Sequence, residues 1–182
     1  MVNIVDEIVQ IFESRGVYAY LGEPLSQLDH ALQTAHLARE AGADDWLVAA
    51  ALLHDIGHLV TLESIPEESG LDKRHEFIGA AWLARCFGPE VIEPIRLHVT
   101  AKRYLCRFDQ TYTGQLSVAS VRSLELQGGP LSPDEASEFE KNPYYDSAVQ
   151  LRRWDDKAKI PAVEAGTIQQ YRDALLSCIK TP

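Results

Sequence analysis

Cysteine is scarce in this chain: Cys86, Cys106 and Cys178 are the only three in 182 residues. They are odd in number, far apart and in no Cys-x-x-Cys spacing, which excludes a disulfide framework and a zinc knuckle. No apolar run approaches the length needed to span a bilayer. No segment alternates apolar and polar residues for long enough to make a strand, and there is no internal repeat or low-complexity tract. Positive charge is also in short supply, with 17 Lys and Arg against 27 Asp and Glu and a net charge of -10. That balance opposes nucleic acid and anionic membranes over most of the surface, so an anionic ligand needs cations gathered locally. The first residues, MVNIVDEIVQIFESRG, carry acids within an apolar pattern and show neither a basic leader nor a small-residue cleavage site. The expectation is a protein of the reducing cytoplasm with no nucleic-acid and no membrane partner.

What is present is helical spacing. Ile4, Val5, Ile8, Val9 and Phe12 share one face, and Gly16 ends that helix. Ser26 and Asp29 form a capping-box pattern for a second helix that stops at Gly42 and carries His30 and His36. Asp44 or Asp45 caps a third, Trp46 to about Ile56, whose run Leu47 to Leu53 is apolar all round and therefore buried. Residues 59 to 72, with Pro66 and Gly70, read as a loop. Further helices are expected over Lys73 to Phe87, Pro89 to about Leu105 with Pro94 near its start, Val118 to Leu126, from Pro133 after the cap Ser132, Asp146 to Lys157, and Thr167 to Ile179. With 46% hydrophobic residues, the length suits one compact domain over residues 1–182, all-α, with Trp46, Trp82 and Trp154 in its core.

A lone histidine is ordinarily a surface residue or a satisfied core residue. The pair His54-Asp55 differs, because it ends a wholly apolar helix, and burying an imidazole with a carboxylate is costly unless each finds a partner such as a metal. Imidazole and carboxylate suit divalent iron, manganese or zinc, and Asp55 is the natural bridge between two ions. His30, His54, Asp55 and Asp155 could make one site; His75 and His98 are the right types for a second. Lys102 lies four residues after His98, Arg152 three before Asp155, and His58 one turn after His54, so each shares a face with a candidate ligand. Two cations and an imidazole there would supply the local positive pocket. His36, six residues after His30, falls on another face. Arg103 points elsewhere and reads as a cation complementing a helix C-terminus. Gly128-Gly129-Pro130 reads as a turn.

The order His…His-Asp…His…His…Asp, with the string Ala-Leu-Leu-His54-Asp55-Ile-Gly57-His58, resembles the HD superfamily in its dinuclear form. More narrowly, Tyr20-Leu-Gly-Glu23, Gln27-Leu-Asp-His30, His98-Val-Thr-Ala-Lys102-Arg-Tyr-Leu, Leu126-Gln-Gly-Gly-Pro130 and Arg152-Arg-Trp-Asp155 are similar to the mixed-valent diiron oxygenases of 1-hydroxyphosphonates. That family includes the enzymes for 2-amino-1-hydroxyethylphosphonate and its trimethylamino analogue. The matches run from about residue 20 to residue 160. The resemblance implies an all-α HD-domain helical bundle in which His30, His54, Asp55 and Asp155 hold one iron and Asp55 bridges to a second held by His75 and His98. It implies that Tyr20 and Glu23 gate the open coordination position and sense the amine end of the substrate. It places His58, Lys102, Ser120, Ser123 and Arg152 around the phosphonate; Ser123 stands where the family has threonine, keeping the hydroxyl and losing the methyl.

The implied reaction is oxidative cleavage of a carbon–phosphorus bond by two iron ions, mixed-valent Fe2+/Fe3+, with a small organophosphonate and O2 as partners. Its products are phosphate and a carboxylate: glycine betaine from the trimethylamino substrate, which is slightly preferred, or glycine from the amino one. The rivals are an HD phosphohydrolase, which releases phosphate without oxygen, and a metal-binding regulatory domain, which turns nothing over. Tyr20 and Glu23 favour the oxygenase, since a hydrolase has no evident need of them.

Overall fold

The computed structural model describes residues 3–18, 23–61, 74–163 and 165–180. Among them the regular elements are all helical: α1 (Ile4–Arg15), α2 (Gln27–Glu40), α3 (Asp45–Leu53), α4 (Gly57–Val60), α5 (His75–Leu83), α6 (Pro89–Phe108), α7 (Gln110–Thr113), α8 (Val118–Leu126), α9 (Pro133–Glu140), α10 (Tyr145–Lys157), a 3-10 turn (Ile168–Tyr171) and α11 (Arg172–Ser177). One isolated antiparallel bridge joins Phe87 to Ile179. The all-α expectation holds.

The punctuation acts as its chemistry requires. Ser26 and Asp29 form the reciprocal capping box of α2, and Ser132 and Glu135 that of α9 behind Pro133. Gly42 takes a φ of 73° two residues beyond the end of α2, where Ala43 N–H reaches back to Ala38 and Gly42 N–H to Arg39. Gly128 and Gly129 both adopt positive φ in the expected turn. Arg103 differs from its sequence reading. It lies inside α6, which runs on to Phe108, and its guanidinium donates to the Gly129 carbonyl at 2.8 Å and to Glu135 at 2.9 Å, so it ties that turn to the bundle.

Boundaries moved where backbone geometry tightened. α3 stops at Leu53, not Ile56, because Ile56, His58 and Leu59 make i→i−3 bonds that turn the chain into α4. α5 begins only at His75, after Arg74 in the left-handed region with a φ of 47°. α6 absorbs Pro94 without ending. The final stretch divides into the 3-10 turn and α11. Of the expected 59–72 loop, Leu59 and Val60 close α4, and residues 62–73 lie outside the described ones.

α3 is the axis. Every residue from Leu47 to Leu53 is buried, in a cluster that also takes Val5, Ile8 and Phe12 of α1, Ala31 and Ala35 of α2, Leu83 of α5, Ile95 of α6 and Leu151 of α10. Truncating a fully buried leucine here, such as Leu53→Ala, costs about 2–5 kcal/mol. Trp154 belongs to this cluster, while Trp46 and Trp82 are partly buried against it. A second cluster, with Leu97, Ala101, Leu131 and Phe139, packs the far side of α6 on α9 and α10. With both flanks of α6 packed, His98 and Lys102 are fixed on its inner side, facing the ends of α3 and α10.

Candidate metal centre

Five elements deliver the ionisable residues. α2 carries His30, the turn after α3 carries His54-Asp55, α5 opens with His75, α6 carries His98 and α10 carries Asp155. His30, His54, Asp55, His98 and Asp155 are buried, and His75 is nearly so. Three of the four rings are oriented alike. His30 Nδ1 contacts the Ala158 carbonyl at 2.8 Å, His54 Nδ1 that of Ala51 at 2.8 Å, and His98 Nδ1 that of Ile95 at 2.7 Å. A carbonyl only accepts, so each Nδ1 carries a hydrogen and each Nε2 is turned inward as a donor atom.

The inward atoms form two groups. His30 Nε2 lies 3.2 Å from His54 Nε2 and 3.3 Å from Asp155 Oδ1. His75 Nε2 lies 3.1 Å from His98 Nε2. Asp55 stands between them: its Oδ2 is 3.4 Å from His54 Nε2 and 3.8 Å from His30 Nε2, while its Oδ1 is 3.0 Å from His75 Nε2 and 3.5 Å from His98 Nε2. The ring of His58 stacks on that of His75 at 4.0 Å, so His58 borders the second group. His36 is exposed on the outer face of α2.

These residues fit a metal. Imidazole nitrogens are aimed at one another about 3 Å apart, as ligands converging on one ion are, and Asp155 Oδ1 is buried and accepts no hydrogen bond. Burial disfavours charge on both carboxylates, yet the cations around them hold Asp55 and Asp155 well below the usual carboxylate range. Burial takes His98 down to about 4, whereas at His54 the charges of Asp55 and Asp155 outweigh burial and lift it to about 9.

A group of cations and serines adjoins this cluster. Lys102, 2% exposed, donates to Ser123 Oγ at 2.7 Å, and Ser123 donates to the Ser120 carbonyl at 3.0 Å. Arg152 reaches Asp155 Oδ2 through Nη1 at 2.7 Å, and its Nε donates to Asp156 Oδ2 at 2.8 Å and to the Tyr112 hydroxyl at 3.1 Å. The expected substrate-side residues Lys102, Ser120, Ser123 and Arg152 are therefore gathered in one place. Glu23 lies at the N-terminal end of α8, where its carboxylate accepts from Ser117, the cap of that helix. Tyr20 lies outside the described residues.

Sequence reading missed four participants: Tyr112, Ser117, Asp156 and Lys159. Asp156 and Lys159 were accessible by spacing, four residues after Arg152 and after Asp155. Tyr112 and Ser117 carry no local signal; the fold brings them in.

The HD domain family model matches residues 28–134. The chain is 44% identical over 178 residues to a hydroxymethylphosphonate dioxygenase of Gimesia maris, covering 97% of this chain and 88% of that one. It is 41% identical over 158 residues to a glycine-betaine-forming [1-hydroxy-2-(trimethylamino)ethyl]phosphonate dioxygenase of Leisingera caerulea, covering 86% and 81%. It is 32% identical over 179 residues to an uncharacterised protein of Acanthamoeba polyphaga mimivirus, covering 97% and 82%.

Proposed function

We propose that this chain, which belongs to the HD-domain family and to the hydroxyphosphonate dioxygenase branch that its named relatives represent, cleaves the carbon–phosphorus bond of a 1-hydroxyphosphonate with O2, using two iron ions. The observation that carries this reading is Asp55 dividing its two oxygens between two histidine pairs, beside a group of buried cations and serines. The metals, when bound, supply the redox chemistry with O2 that ends in phosphate and a carboxylate; mixed valence belongs to this proposal too. His30, His54, Asp55 and Asp155 would hold one ion, and Asp55, His75 and His98 the other.

The chain's own residues bind and orient the substrate. Lys102, Arg152, Ser120 and Ser123 grip the phosphonate oxygens, with His58 at the border of the second metal, and so fix the C1 carbon relative to the metals. Burial of this pocket strengthens each of those contacts and keeps water out. Tyr20 is assigned to the open coordination position, and Glu23 to the far end of the substrate. A carboxylate there favours a cationic C2 substituent, which makes 1-hydroxy-2-(trimethylamino)ethylphosphonate the first candidate and the amino compound the next. The 44% identity to a hydroxymethylphosphonate dioxygenase supports a third candidate with no substituent at all.

Whether the chain is one HD domain is part of the same reading, supported by a main apolar cluster whose members run from Ile4 to Leu175. Cytoplasmic residence is supported by the cysteine spacing, and no described helix is long and apolar enough to cross a membrane. The test is anaerobic reconstitution with ferrous iron followed by assay of phosphate release from the three hydroxyphosphonates with and without O2. Release that requires O2 is expected; release without it would mean that the C–P bond is hydrolysed rather than oxidised, and release only from a phosphate ester would make the protein a phosphohydrolase.

A further inference from the structure

Lys102 and Arg152 are not the only cations in the anion pocket. Lys159 lies two residues beyond the end of α10, and its ammonium donates to Ser120 Oγ at 2.8 Å. It also lies 3.2 Å from Asp156 Oδ1 and 3.6 Å from Asp155 Oδ1, with its side chain only 10% exposed. Ser120 and Ser123, one turn apart on α8, are thus each held by a lysine, Ser120 by Lys159 and Ser123 by Lys102. Between these lysines Arg152 enters from α10.

The surroundings do not balance these three charges. A lysine just past a helix end can lean into water, and holding it at 10% exposure costs desolvation that partners must offset. Its two carboxylate neighbours are already engaged. Asp156 accepts from Arg152 at both of its oxygens and also from Tyr112. Asp155 is paired with Arg152 and, once it ligates a metal, is committed there as well. Among the described residues Asp156 then remains as the carboxylate for Lys102, Arg152 and Lys159, which with Lys102 protonated leaves two positive charges uncompensated. The same crowding shows in Lys102, which burial, followed by the charge of Arg152, takes down to about 7 despite the two aspartates.

We propose that Lys159 is a substrate-binding residue, its ammonium taking one oxygen of a phosphonate or phosphate dianion whose other oxygens meet Lys102, Arg152 and the two serines. A dianion supplies the two missing negative charges. Ser120 Oγ, which accepts from Lys159, is left with its own hydrogen to donate to the same anion. Residues 155–159 then act as a unit: Asp155 faces the metals, the Ala158 carbonyl orients His30, and Lys159 holds the anion. Gln33 anchors the adjoining Ile160, accepting from its N–H at 3.2 Å and donating to its carbonyl at 2.9 Å. The proposal deepens the dioxygenase reading in its substrate class, since a C–P cleaving enzyme binds this anion as substrate and as product.

The experiment avoids turnover. Iron-loaded protein kept free of oxygen is titrated calorimetrically with methylphosphonate, which lacks the hydroxyl, and with inorganic phosphate, for wild type, Lys159→Met, Lys159→Gln and Lys159→Arg. The Met and Gln variants should lose at least about tenfold in affinity, and Arg should stay within about threefold, with iron content unchanged throughout. Wild-type affinity in Lys159→Met would overturn the proposal. So would wild-type affinity in Lys159→Gln alone, which would reduce the lysine to a hydrogen-bond partner of Ser120, and so would loss of iron in Gln and Arg alike, which would make it a partner of Asp155. Failure of wild type to bind either anion overturns it too. A charge-dependent loss of binding in a protein that needs no O2 to release phosphate would sink the dioxygenase reading and leave this one standing.

Discussion

Gly57 lies against the backbone of His75: a Cβ at position 57 would stand 2.0 Å from the His75 carbonyl oxygen, with the Gly79 nitrogen at 2.9 Å. Nothing there is the flexible end of a side chain, so Gly57→Ala must push the start of α5 away from α4 and carry His75 with it. We expect metal content to fall from about two ions per chain towards one, as for His98→Ala, with the His30/His54/Asp155 group still loaded. Elemental analysis after reconstitution measures this, and two ions retained in both variants would remove the dinuclear assignment.

Arg152→Ala leaves Asp155 and Asp156 buried without the closer of the two cations they share, Lys159 remaining at 3.6 and 3.2 Å. Breaking a buried pair from one side costs about 3–5 kcal/mol, which for a domain of this size lowers Tm by roughly 10 °C. Thermal unfolding of the metal-free protein tests it without any contribution from bound iron. A shift under about 3 °C would mean that water replaces the guanidinium.

Lys102 is charged below about pH 7 and neutral above it in the ligand-free pocket. A bound dianion favours the charged form, so binding above that pH must take up a proton, and affinity attributable to Lys102 falls by up to tenfold per pH unit. Lys102→Arg stays charged and should lose this alkaline decline. The comparison of methylphosphonate affinity against pH in the two proteins isolates it from the ligand's own ionisation; parallel profiles would assign the decline elsewhere.

His54 keeps its proton up to about pH 9 in the metal-free protein, because Asp55 and Asp155 outweigh its burial. A metal needs the bare Nε2, so loading near neutral pH should release about one proton from this ring, and loading above about pH 10 none. Metal affinity therefore rises with pH until about 9 and then levels. Zinc titrations in buffers of differing ionisation enthalpy give the proton count directly; an equal count at both pH values would place the proton on another group.

Glu23 is held by Ser117, whose Oγ also accepts from Ser120 N–H at 3.0 Å, so the residue assigned to the amine end is wired to the helix that carries the serines. Glu23→Gln keeps the shape and removes the charge. Its catalytic efficiency should fall by about tenfold on the two cationic substrates and stay near wild type on hydroxymethylphosphonate. An unchanged ranking of the three would take Glu23 out of recognition.

The sequence by itself determined the helices and the direction in which most of them face. The apolar run Leu47 to Leu53 has only one stable place, the middle of the core, and that forces His54 and Asp55 inside with it. Caps and glycines were legible because their chemistry is local: Ser26 with Asp29, Ser132 with Glu135, and Gly42 at its positive φ. Spacing also put Lys102 on the side of α6 that carries His98, and Arg152 on the side of α10 that carries Asp155. Where the tertiary structure decided, the relation was not local. The end of α3 and the start of α5 were displaced by the tight turn through Ile56 and by the close approach of Gly57 to His75, which no periodicity encodes. The carbonyls that orient His54 and His98 come from their own helices three residues back, whereas the one that orients His30 comes from Ala158, 128 residues away. Tyr112 meets Arg152 across 40 residues of chain, and Lys159 meets Ser120 across 39, on the same terms: only the packing of separate segments brings them together.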